Sequence, residues 1–259
     1  MGIANLAALL ACGLAMGLGA LGSGWGLGYT AQGALRAIAR QPAKQSDIFR
    51  NMLVGQAITE TPAIFSLVVS FLLYFSVDKV LETPYSLSQC AVFLSAAICI
   101  GVGAIGSGIG SGLVAHEALD GMSRNPSTQG SVLMLMLVGQ AWAQTGGIFA
   151  LVVSLFLLNS GGFAGLSAAS DWHVWQLIPL SGGEVTGAAR YIGAGIAMGF
   201  GAVGSSLGIA YVGGQACRGI ADYPNAAGKV KTAYFIGSAT AQSPSVFSLI
   251  IALILLIRG

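Results

Sequence analysis

Charge is what this chain has least of. Asp, Glu, Lys and Arg make up 8% of its 259 residues, against roughly 25% in a soluble globular protein. Eleven basic and nine acidic side chains are too few to wet a soluble surface of that size. Proline is also sparse, at seven residues, while 55% of positions are apolar, which together exclude collagen-like and disordered chains. A net charge of +2 with no Lys/Arg run gives no basis for nucleic-acid binding. No cysteine pair has metal or redox spacing. Cys12, Cys90, Cys99 and Cys217 each sit in apolar stretches and read as small buried hydrophobes. Glycine is abundant instead, with 39 residues, each weakening a helix in water by about 1 kcal/mol. What remains is an integral membrane protein rich in small residues.

Six stretches carry almost no charge. None occurs before Arg36, and 51–77 holds only Glu60. Residues 83–115, 130–158, 191–217 and 232–257 hold none. Each exceeds the ~20 residues that span a ~30 Å hydrocarbon layer as a helix. Lipid cannot satisfy backbone amides, so only helices or closed barrels fit, and these continuous runs lack the alternation of barrel strands. The first run lacks a basic leader and is too long for a signal peptide, so it is expected to be the first span.

The chain also repeats itself. Gly19-Ala20-Leu21-Gly22-Ser23 returns as Gly103-Ala104-Ile105-Gly106-Ser107 and as Gly201-Ala202-Val203-Gly204-Ser205. Met52-Leu53-Val54-Gly55-Gln56-Ala57 recurs unchanged at 136–141, and Pro42, Pro126 and Pro224 mark three tight turns. The offsets are 84 and then 98 residues throughout, a tandem-repeat signature. The expected fold is all-α: six transmembrane helices as three parallel hairpins. Hairpin 1 is placed at 1–80, hairpin 2 at 81–165, an extended outer linker at 166–186 and hairpin 3 at 187–259. Parallel repeats argue against the inverted-repeat transporters. Eight basic residues (Arg36, Arg40, Lys44, Arg50, Arg124, Arg218, Lys229, Lys231) lie near the turns and three (Lys79, Arg190, Arg258) on the other side. The turns are therefore expected in the cytoplasm and both termini outside. In the long outer connection, Trp172 and Trp175 suit the headgroup layer and His173 a solvated loop.

Gly22, Gly24, Gly26 and Gly28 alternate, as do Gly106, Gly108, Gly110 and Gly112. At 100° per residue such positions form two stripes on roughly opposite sides of a helix. One small-residue stripe suits a dimer; two suit a helix touched closely on both sides, as in a closed ring. In repeat three Ser206 and Ala210 keep the pattern small.

Glu60 is the one acid in mid-span. It lies ten positions past Arg50, ~15 Å along a helix axis, and an ionisable group at that depth is a functional candidate. Protonated, it tolerates hydrocarbon; ionised, it needs a cation or a polar cavity. Its counterparts are Gln144 and Gln242, each followed by a hydroxyl, Thr145 or Ser243, as Glu60 is by Thr61. An amide keeps shape and polarity but cannot release a proton, so three hairpins carry one titratable site. Glu117 and Asp120 lie within two turns of Arg124 and read as interfacial charges.

The alternating glycines at 22–28, Ala39-Arg40-Gln41-Pro42, and Gly55-Gln56-Ala57-Ile58-Thr59-Glu60 together resemble the proteolipid c subunit of F-type rotary ATP synthases, over nearly the whole chain and three times over. The resemblance implies a membrane rotor, a homo-oligomeric ring embedded in lipid and turned against a stator a subunit whose buried arginine meets each carboxylate. It implies that Glu60 with Thr61 carries the ion, that Gln56, Ser111, Gln140, Gln144, Thr145, Gln242 and Ser243 are supporting polar groups, and that the turns dock the central stalk. The docking turn is Arg40-Gln41-Pro42, with Arg124-Asn125-Pro126 in hairpin 2; hairpin 3 departs to Asp222-Tyr223-Pro224. The resemblance further implies a protein that is not an enzyme by itself, binds no cofactor, and sits in the cell (inner) membrane. Fusion with loss of carboxylates also resembles V-type proteolipids.

One carboxylate in three hairpins moves a third as many ions per turn, which favours ATP-driven pumping. Sodium-binding relatives typically add a glutamine on the Gly-rich helix where this chain has Leu27, Ser111 and Ile209. A dehydrated Na⁺ needs about five or six oxygens, so protons are favoured, with Na⁺ at Glu60 as the alternative through Gln56 or Ser111. A ring-shaped pore or scaffold without energy coupling is the rival of a different class, and leaves Glu60 without a purpose.

Overall fold

The structure is a computed structural model that describes residues 3–80, 87–160 and 184–257; the expected outer linker lies almost wholly outside them. Long helices follow from the long apolar runs. They are α1 (Ile3–Arg40), α2 (Gln45–Val80), α3 (Leu87–Arg124), α4 (Gln129–Ala143), α5 (Thr145–Ser160), α6 (Glu184–Asp222) and α7 (Ala227–Ile257). With α4 and α5 joined into one span, six are long and apolar enough to cross a membrane.

Each hairpin turns through a single 3₁₀ turn, Pro42–Lys44, Pro126–Thr128 or Pro224–Ala226, with proline in its first turn. Proline suits that position because its fixed φ is already helical and its missing N–H needs no partner. Hairpin 2 adds a side-chain cap, in which the Ser127 amide donates to Asn125 Oδ1 at 3.3 Å.

The sequence predicts a continuous fourth span, but helical geometry lapses at Gln144 between α4 and α5. Gly146 and Gly147 follow after Thr145, whose hydroxyl bonds back to the Trp142 carbonyl at 2.7 Å, and together these loosen the backbone there. The ladder nevertheless continues across the lapse, from Gln144 N–H to Gln140 O at 3.2 Å and from Ile148 N–H to Gln144 O at 3.0 Å.

The hairpins stand side by side in two rows. In the first, α3 separates α1 from α6; in the second, the α4–α5 span sits between α2 and α7. The two glycine stripes of α3 serve opposite neighbours. A Cβ on Gly108 would lie 2.6 Å from the Gly22 backbone of α1, and one on Gly110 would lie 2.9 Å from the Ser206 carbonyl of α6. Those clashes are why the stripes must be glycine: backbones this close leave no room for a side chain.

Two apolar clusters form the interior. One, away from the turns, includes Ala8, Leu73, Ile100, Leu157 and Met198. The other, near the turns, includes Ala34, Leu119, Met136, Ile220 and Tyr234. Between them runs a belt of buried Ser, Thr and Gln, including Ser23, Thr59, Ser111, Gln140, Gln144 and Ser206. Large apolar side chains such as Phe71, Phe75, Phe247 and Ile250 stay exposed on α2 and α7, as suits a hydrocarbon solvent.

Candidate functional site: a polar belt at the hairpin junctions

The belt is built from helix-to-helix hydrogen bonds at the junctions. At the first junction, Gln144 stands where hairpin 1 has Glu60. Its Oε1 accepts from the Thr61 hydroxyl at 2.8 Å, and its Nε2 donates to the Ile58 carbonyl. That carbonyl is available because Pro62, four residues on within α2, has no N–H to occupy it. Gln144 is buried, only 7% exposed.

The second junction repeats half of this. Thr145 donates to Gln242 Oε1 at 2.7 Å. Here the position of Pro62 is held by Gly146, which keeps its N–H, and the Gln242 amide turns instead to Ser245 Oγ of its own helix at 2.6 Å. Proline returns as Pro244 inside α7. Thr240 therefore stands to Pro244 as Ile58 stands to Pro62.

A turn deeper, Gln140 stitches three helices. Its Nε2 donates to Gly55 O at 2.9 Å, Thr59 Oγ1 at 3.1 Å and Ser111 O at 3.2 Å. Among the described residues, its counterpart Gln56 reaches only Leu27 O, at 3.5 Å. The Ser111 hydroxyl is turned to Gly108 O at 3.2 Å, so Ser111 belongs with Gln140 at the first junction and not with Glu60.

Glu60 itself is exposed on α2, and among the described residues it has no hydrogen-bond or ion-pair partner. By equivalence with Gln144, which faces hairpin 1, Glu60 faces the open edge of the row. The structure thus brings Thr61, Gln140, Gln144, Thr145 and Gln242 into two junctions and leaves Glu60 and Ser243 on opposite open edges. Among the described residues, Ser243 makes only a 3.5 Å approach to Ala239 O in its own helix.

The turn residues are more constrained than sequence suggests. Arg40 meets Asp120 of hairpin 2 at 2.6 Å, and Asp120 also meets Arg124 at 3.5 Å. Arg124 in turn meets Asp222 at 3.2 Å, and Asn125 donates to Ala221 O at 3.1 Å. Gln41 caps no helix with its side chain, and Pro42 and Pro126 are exposed. Asp120 is an interfacial charge only in part, since it is buried beneath two arginines.

Comparison with known proteins follows the same three-fold pattern. Residues 10–73, 94–157 and 192–255 each match the family of ATP synthase C subunits. The ATP synthase c subunit of Dehalococcoides mccartyi is 51% identical over 72 residues, which is 95% of that protein and 28% of this chain. That of Chloroflexus aurantiacus is 46% identical over 69 residues, 91% of that protein and 27% of this chain. That of Thermotoga petrophila is 41% identical over 77 residues, 91% of that protein and 30% of this chain. Each relative is therefore a single hairpin in length. The chain belongs to the ATP synthase C-subunit family, as three hairpins of that family fused in tandem.

Proposed function

We propose that this chain is the membrane rotor component of a rotary ATPase, that copies of it close into a ring, and that each copy carries one proton on Glu60 past a stator arginine. The observation that carries the reading is the pair of bonds at Gln144. An amide offers one acceptor and one donor side; a protonated carboxyl offers the same, and an ionised carboxylate offers acceptors only. The Gln144 junction is thus a template for a protonated acid.

In a ring, hairpin 3 of one copy stands before hairpin 1 of the next. Ser243 then takes the part of Thr61, and the Thr240 carbonyl, left free by Pro244, takes the part of Ile58. Protonated Glu60 accepts from Ser243 and donates to Thr240. On losing its proton it faces a carbonyl with a negative charge, loses that bond, and is free to turn toward the stator guanidinium, which pairs strongly with a carboxylate. Reprotonation restores the locked form, which crosses hydrocarbon without a buried charge. Gln144 and Gln242 stay locked at every step.

Two features favour H⁺ over Na⁺. The Gly-rich helix beside Glu60 offers Leu27, which has no side-chain oxygen, and Ser111 belongs to an internal junction. The turns face the cytoplasm and both termini the outer side, where the basic excess at the turns places them. Central-stalk proteins dock on the turns through Arg40, Gln41, Pro42 and their hairpin 2 counterparts. With one acid per three hairpins, each ion must exchange three times the free energy, so the complex mainly pumps protons with ATP.

Carbodiimide labelling of the intact complex tests the reading. Glu60 alone should react, less as pH rises, with no protection by Na⁺. Protection by Na⁺, or reaction spread over other acids, contradicts it.

A further inference from the structure

The two open edges of the row differ in charge at their turn ends. Counting by the repeat offsets, Arg36, Asp120 and Arg218 occupy one position, and Arg40, Arg124 and Asp222 another. Among the described residues, three ion pairs cross the internal junctions: Arg40 to Asp120 at 2.6 Å, Arg124 to Asp222 at 3.2 Å and Arg218 to Glu117 at 3.8 Å. Each joins a residue of one hairpin to a residue of the next.

Advancing the same contacts by one hairpin gives the seam between copies. Asp222 of one copy then comes opposite Arg36 of the following copy, as Arg40 comes opposite Asp120. It also comes opposite Arg40 of that copy, as Arg124 comes opposite Asp222. In the single chain Arg36 is exposed and, among the described residues, forms no ion pair, although its counterparts Asp120 and Arg218 both do. Asp222 ends α6, where a negative charge opposes the helix dipole, so the helix itself gives no reason for an acid there.

The glycines identify the same two edges independently. On α1, Gly17, Gly24 and Gly28 have open space around them, so that an added Cβ would meet no atom within 4 Å, whereas their counterparts Gly101, Gly108 and Gly112 are closed against α1. On α6, Gly204 is equally open, whereas its counterparts Gly22 and Gly106 are closed against the following hairpin. The two free faces are the separated halves of one junction type.

We propose that Asp222 at the α6 edge of one copy pairs with Arg36 and Arg40 at the α1 edge of a second copy of this chain, and that this pairing selects hairpin 3 as the neighbour of hairpin 1. The proposal rests on the ring reading above. Hairpins 1 and 2 end in Arg40 and Arg124; either one at the seam would set an arginine against Arg36. Only hairpin 3 presents an acid. The seam thereby favours copies joined head to tail and disfavours insertion of a hairpin that ends in arginine. An exposed pair of this kind contributes more to choice of partner than to raw stability.

Charge reversal in the full chain, purified from membranes in mild detergent, tests this. Native mass spectrometry would follow the ratio of ring to free chain as salt is raised. Arg36→Asp, which breaks no ion pair within the chain, is expected to lower that ratio about two- to fivefold per seam, with helix content unchanged. Arg36→Lys is expected to keep it. Rings of Arg36→Asp as salt-resistant as the parent, or as rings of Arg36→Lys, would overturn the seam pair while leaving the ring intact. A parent chain that never exceeds one copy would overturn the ring reading, and the seam with it.

Discussion

The Thr61 hydroxyl of hairpin 1 donates to the Gln144 side-chain carbonyl of hairpin 2 across 2.8 Å. The same amide donates to the backbone carbonyl that Pro62 leaves free. An uncharged side chain thus fills, from both its donor and its acceptor side, the position that in hairpin 1 holds an acid. In the proposed ring the ion site and the internal junctions share one geometry and differ in whether the group can lose its proton.

Gln144→Leu should therefore damage the junction without touching the ion site. It removes both Gln144 bonds and leaves the Thr61 hydroxyl and the Ile58 carbonyl only each other, at 2.6 Å, at a cost of about 1 kcal/mol. Thermal unfolding in detergent should register the loss, and rotation should slow with ions per turn unchanged. Gln144→Glu should be tolerated at acid pH, where the carboxyl is protonated and remakes both bonds, and should lose stability as pH rises and the donor proton leaves. A melting temperature independent of pH in that variant would count against the template.

Ser243→Ala and Thr61→Ala should separate the seam from the internal junction. Removing the Ser243 hydroxyl unlocks Glu60 and should raise its carbodiimide labelling rate severalfold. Removing the Thr61 hydroxyl loosens Gln144 and should leave that rate unchanged. Equal effects of the two would contradict placing Glu60 at the boundary between copies.

Glycines on closed and open faces should behave differently. A Cβ on Gly108 lies 2.6 Å from the Gly22 backbone, which cannot move aside, so Gly108→Ala should destabilise the chain itself by about 1–3 kcal/mol. Gly24 has open space within the chain, so Gly24→Val should leave a folded monomer that fails to close into a ring. Circular dichroism for the fold and native mass spectrometry for the ring check both.

Much of this was legible in the sequence because it repeats along the chain. The six spans follow from charge-free length, and the singular identity of Glu60 from register against Gln144 and Gln242. The double-sided glycine stripes likewise follow from their spacing, and the structure places Gly108 and Gly110 on opposite neighbours. What sequence could not give is lateral pairing. The bond from Thr61 to Gln144 joins positions 83 residues apart, and no local pattern announces it. The salt bridge from Arg40 to Asp120 is hidden in the same way, since Asp120 shows only its nearness to Arg124. Pro62 and Pro244 were a usable signal: a proline four residues past a carbonyl frees that carbonyl. The lapse at Gln144 has its signal in Gly146-Gly147, masked by the surrounding apolar run.

The direction of the motor should follow from the acid count. A membrane potential supplies only ~2.3 kcal/mol per charge per 100 mV, and a ring with one acid per three hairpins brings a third as many charges to each turn. Vesicles carrying the complex should build a steep proton gradient from ATP and make little ATP at an ordinary potential. Brisk synthesis at that potential would contradict the pumping role.

The most direct test is Glu60→Gln in the intact complex, which makes all three hairpins alike at this position. ATP-driven proton uptake into vesicles should vanish while the ring still assembles, because every junction then carries an amide lock and none can release a proton. Uptake persisting in an assembled Glu60→Gln ring would mean that the proton travels by another route.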